Sequence, residues 1–94
     1  MLTCEKADKI FNFYGEKVEL KKAKEELLEL ALVLVKGEGA DRVLDELSDV
    51  FICALHLKKI YQISDAQIQT RIDSKLDRTI ERIERAKAGV PCDC

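Results

Sequence analysis

Residues 16–36 and 40–61 each carry the periodicity of one helix, and only Gly37-Glu38-Gly39 separates them. A connection that short makes the two helices antiparallel neighbours. The rest of the chain follows the same pattern. A first helix is expected over about 3–14, with Thr3 as its N-cap and Gly15 as its stop. A fourth is expected over about 64–88, opened by a Ser64/Gln67 capping box and closed by Gly89, with Pro91 beyond. Strand-like alternation is absent, and one Pro and four Gly leave little to break helices. The expectation is a single all-α domain over 1–94.

Two of these helices are apolar on more than one face. Residues 27–35 of the second carry Leu27, Leu28, Leu30, Leu32, Val33, Leu34 and Val35. Residues 50–57 of the third carry Val50, Phe51, Ile52, Cys53, Leu55 and Leu57. A helix that is apolar all round is buried all round. One short and three longer helices cannot surround both, so a homo-oligomer is expected, a dimer or a dimer of dimers with these helices at its centre. The longest unbroken apolar run, Leu30 to Val35, is too short to span a bilayer, and no partner membrane is expected.

Composition narrows the function classes. Eighteen acidic and 16 basic residues give a net charge of -2, which opposes general nucleic-acid binding. The four cysteines, Cys4, Cys53, Cys92 and Cys94, show no disulfide framework, and Cys53 lies in an apolar helical run as a small hydrophobe would. No signal-peptide stretch follows Met1, so a reducing cytoplasm is the expected location. Two thiolates in the Cys92-Asp93-Cys94 tail do not complete a tetrahedral metal site.

The charges within the apolar helices carry the chemistry. Glu26 and Glu29 are three apart on the second helix, and Glu46 and Asp49 three apart on the third. Glu29 precedes the turn by about as many residues as Glu46 follows it. The two pairs therefore stand at nearly equal height and face each other across one groove. Four converging carboxylates repel unless a proton or a cation intervenes. An all-oxygen set suits Mg²⁺, or Mn²⁺, rather than Zn²⁺. His56, two turns past Asp49, reads as a core or interface histidine. On the fourth helix Arg71, Lys75, Arg78, Arg82 and Arg85 form a basic stripe. Beside it runs an apolar stripe of Ile68, Ile72, Leu76, Ile80 and Ile83, and an acidic face of Asp73, Asp77, Glu81 and Glu84. Glu81 and Arg85 are spaced for a surface ion pair. On the first helix Ile10, Phe11 and Tyr14 share a face, with Phe11 and Tyr14 expected to point into the core, and Phe13 lies on another.

The stretches Lys-Ala-Lys-Glu-Glu-Leu-Leu-Glu-Leu (22–30), Asp-Glu-Leu-Ser-Asp-Val (45–50) and Lys-Leu-Asp-Arg (75–78) resemble those of the MazG-like nucleotide pyrophosphohydrolases. The resemblance covers most of the chain. It implies a four-helix MazG-like bundle in an intertwined homo-oligomer. It also implies hydrolysis of a nucleoside triphosphate between the α and β phosphates, giving a monophosphate and pyrophosphate. Matched to the motif, Glu26, Glu29, Glu46 and Asp49 become Mg²⁺ ligands and Lys75 and Arg78 phosphate contacts. Glu26 or its neighbour Glu25 becomes the general base. Apart from the motif, Phe13 and Asn12 are candidates for base contact, with core or interface packing the favoured reading for Phe13. Some relatives carry a Trp near the base pocket and this chain has none, so base preference does not carry over. A non-catalytic dimeric interaction module is the competing reading.

Overall fold

The computed structural model describes residues 3–89. Four helices run α1 Thr3–Tyr14, α2 Glu16–Lys36, α3 Ala40–Ile60 and α4 Asp65–Lys87. Each boundary falls within one residue of the position expected from sequence. Helices α1 to α3 belong to one compact unit, residues 1–63, and α4 to a second that begins at Ser64. None of the four helices is long and apolar enough to cross a membrane.

Local chemistry explains the boundaries. Gly15 and Gly37 take positive φ, which L side chains rarely adopt, and each stops a helix there. After α2 the Gly37 N–H donates to the Leu34 carbonyl and the Glu38 N–H to the Val33 carbonyl. This double closure is a Schellman motif. At α4 the Ser64 hydroxyl accepts from the Gln67 N–H while the Gln67 side chain accepts from the Ser64 N–H. Thr3 is already helical, inside α1 rather than capping it. Asp41 opens α3 and Lys58 and Lys59 close it, as the helix dipole favours.

The α2–α3 hairpin is packed in an unusual way. The buried apolar residues are small, Ala7, Ala23, Val33 and Cys53. Beside them Glu19, Glu46 and His56 are buried too. The large aliphatics point outward instead, among them Leu28, Leu32, Val35, Leu44 and Phe51. Scattered exposed leucines are ordinary, but buried acids together with an exposed aliphatic face are informative. Between α1 and α3 an open groove of about 550 Å³ is lined by Cys4, Leu44, Leu47, Phe51, Ile52 and Leu55, among others.

Helix α1 is held to the hairpin through His56. Its Nδ1 lies 2.9 Å from Glu19 Oε2, and its Nε2 lies 3.0 Å from the Ala7 carbonyl oxygen. One ring thereby ties α3 to α2 and to α1. The Phe11 ring packs at 5.6 Å from the His56 ring, and the Lys59 ammonium sits over the Phe11 ring, 4.9 Å from its centre. The Lys59 ammonium also donates to Asp8 and Asn12. Tyr14 departs from expectation. It is 56% exposed and stacks edge-on against Phe13 at 4.8 Å. It is the last residue of α1, where Gly15 turns the chain, so the seam made by Ala7 and Phe11 ends before reaching it.

Replacing His56 by alanine leaves Glu19 buried without its partner. The expected cost is about 3 kcal/mol, on the scale of breaking a buried pair. Urea titration of the wild type, His56→Ala, Glu19→Ala and the double variant checks this. The double variant should lose clearly less than the two single losses combined.

Candidate metal centre

The hairpin register builds the site. Starting from the turn, each step of three or four residues back along α2 is matched by the same step forward along α3. Glu29 thereby meets Glu46, Glu26 meets Asp49, Lys22 comes level with Cys53, and Glu19 meets His56. One carboxylate oxygen from each of Glu26, Glu29 and Glu46 lies within 4.8 Å of the other two. Asp45, Glu46 and Asp49 form a second such group sharing Glu46. The four acids named from sequence thus converge, and Glu46 is the residue common to both groups.

Burial and charge act together here. Glu46 is buried, Glu26 and Asp49 are half-buried, and Glu29 is exposed. Loss of solvent, reinforced by the negative charges of Glu29, Asp49 and Glu46, raises the Glu26 carboxyl from 4.5 to about 7. A side-chain hydrogen bond with Asp49 adds to this. The Glu46 carboxyl is also raised, first by burial, then by the charge of Glu29 and a hydrogen bond with it. The Arg42 guanidinium opposes that shift, since its Nη2 sits 3.4 Å from Glu46 Oε1 and its Nη1 3.6 Å from Asp45. Burial also pushes the Cys53 thiol up, followed by the charge of Glu26.

Two buried oxygens in the cluster, Glu26 Oε2 and Glu46 Oε2, have no hydrogen-bond partner. Buried polar atoms are normally satisfied, and an orphaned carboxylate oxygen is costly. A hard cation is a partner that oxygens of these four carboxylates fit: the donors are all oxygen, as Mg²⁺ requires, and among the described residues no imidazole or thiolate joins either acidic group. His56 takes no part, because Glu19 and Ala7 already occupy both ring nitrogens.

The remaining candidates fall as follows. Glu25 is exposed and stands outside both acidic groups. Asn12 accepts from Lys59 at 3.4 Å, and Phe13 is 80% exposed. Lys75 and Arg78 are exposed on α4, and Arg78 lines a shallow groove with Glu81, Arg82 and Arg85. The expected Glu81–Arg85 ion pair is present at 3.1 Å. Cys92 and Cys94 lie outside the described residues.

Glu19, the partner of His56, escaped sequence reading. Glu19 lies seven residues before Glu26, and His56 seven after Asp49, so the register that pairs the acids also pairs these two. Arg42 was legible from its i, i+4 spacing to Glu46. Compared with protein-family models, curated proteins and solved structures, the chain matches none.

Proposed function

We propose that this chain is a Mg²⁺-dependent nucleoside triphosphate pyrophosphohydrolase of the MazG-like type, acting as a homo-oligomer. The observation that carries the reading is the meeting of Glu26, Glu29, Glu46 and Asp49, with two buried oxygens unpartnered. Mn²⁺ fits the same donors. In this reading a bound cation offsets phosphate charge and lowers the pKa of a water. The Glu26 carboxyl is raised to about 7 in the metal-free fold, and with a cation beside it Glu26 would be a carboxylate, the form that can accept the proton of a water. It takes the base role ahead of Glu25, which is exposed and outside the cluster. Water attacks phosphorus, its proton passes to the carboxylate, and the bond to the bridging oxygen breaks to release pyrophosphate. Lys75 and Arg78 are this reading's phosphate contacts. Self-association is supported by the outward aliphatics of α2 and α3 and by the apolar groove between α1 and α3.

The test is pyrophosphate release from a panel of ribo- and deoxynucleoside triphosphates, with and without Mg²⁺. Metal-dependent release of pyrophosphate and monophosphate is the expected result. No release from any of them, in a folded protein that also fails to bind Mg²⁺, overturns the reading.

A further inference from the structure

Helix α4 presents three separate stripes along its length. Ile72, Leu76, Ile80 and Ile83 are all about half exposed, and no residue of α4 is buried. At 3.6 residues per turn these four and Ile68 share one face. Arg71, Lys75, Arg78 and Arg82 lie roughly 120° to one side of it, and Asp73, Asp77 and Glu84 roughly as far to the other. Among the described residues, Arg71 and Arg82 have no ion-pair partner within 4 Å.

We propose that the apolar stripe of α4 packs against the same stripe of a second copy, with the two helices parallel. The charge pattern selects both occupant and direction. In a parallel two-fold pair, the basic flank of one helix faces the acidic flank of the other. Arg71 then comes beside the partner's Asp73, and Arg82 beside the partner's Glu84. Each pair is offset by two residues, about 3 Å along the axis. An antiparallel pair centred near Leu76 brings like flanks together, setting Arg71 against the partner's Arg82. Opposite charges beside an apolar seam set partner and orientation in paired helices. The apolar spacing of four, four, four and three averages close to the helix's own repeat, so the stripe runs nearly straight. The inference rests on the self-association proposed above and not on the catalytic reading.

The test uses the full chain with Cys4, Cys92 and Cys94 replaced by serine. Ile68→Cys and Ile83→Cys are made singly in that background and oxidised mildly. Each variant is expected to form a disulfide-linked dimer with itself. Cross-linking only when the two variants are mixed indicates antiparallel helices and overturns the proposal. Sedimentation supplies a second readout. Arg82→Glu is expected to weaken association roughly fivefold, and Arg82→Glu/Glu84→Arg to restore it. Tighter association of Arg82→Glu is the antiparallel result and contradicts the proposal. If Leu76→Lys keeps its helicity and its oligomeric state, and no cross-link forms, the copies meet elsewhere. Self-association then stands and the α4 pairing falls. A monomeric wild type removes both.

Discussion

On the proposed pyrophosphohydrolase reading, Glu46→Ala is expected to lower Mg²⁺-dependent pyrophosphate release by about a hundredfold or more, the scale on which a preorganised electrostatic contact is lost. At the same time, the metal-free protein should melt no lower than the wild type. Glu46 is the acid shared by both carboxylate groups, and it is buried with one oxygen unpartnered. Its removal takes away a proposed ligand and a repulsion together. Thermal melts in a chelator, run beside the release assay, check the pair of results. A loss of activity accompanied by a clear loss of metal-free stability would show Glu46 to be a packing residue. Unchanged turnover would remove it from the chemistry. Glu46→Gln keeps the shape and separates lost charge from a cavity.

Stability of the metal-free protein is expected to fall as pH rises, most steeply between the Glu26 carboxyl's ordinary value of 4.5 and its raised value of about 7. The Glu26 carboxyl is raised from 4.5 to about 7 in the fold, so folding favours its protonated form. Its contribution is therefore fully present below about pH 4.5 and is lost as pH climbs through 7. Glu46 is shifted in the same direction, chiefly by burial, and adds to the trend. On the proposed metal reading Mg²⁺ competes with those protons, so its stabilising effect should be larger at pH 8 than at pH 6. Melting temperatures across pH 5–8, with Mg²⁺ and with chelator, check both statements. Glu26→Gln should flatten the chelator curve relative to wild type. A wild-type curve that is flat, or rises toward pH 8, would refute the raised carboxyl.

The helix boundaries and the four acids were legible because both follow from local rules. Glycines at positive φ, a capping box and a three-residue turn fix where helices stop, and the turn fixes which residues stand level. The interior was not legible in the same way. Apolar periodicity reports that Leu28, Leu32 and Phe51 want cover, but not whether their own chain provides it. In the fold they face outward, and the seam between α2 and α3 is filled by Ala23, Cys53 and ionisable side chains. His56 was expected in a core or interface. Its role as the tie between three helices depends on Glu19 and the Ala7 carbonyl, and backbone groups leave no mark in a residue pattern. Tyr14 shows the opposite error. Its spacing matched a buried face, but α1 ends before that face has anything further to meet.

The acidic cluster and the Schellman turn lie on one continuous stretch of chain, Glu26 to Asp49. Contacts so close in sequence form quickly, because little loop entropy is lost in closing them. The hairpin therefore has a short route to native structure, and the carboxylates come together as soon as it closes. Their repulsion opposes that closure above neutral pH, and a divalent cation relieves it. On the proposed metal reading, refolding should be faster in millimolar Mg²⁺ than in chelator at pH 8, and the ion would then aid the birth of the fold.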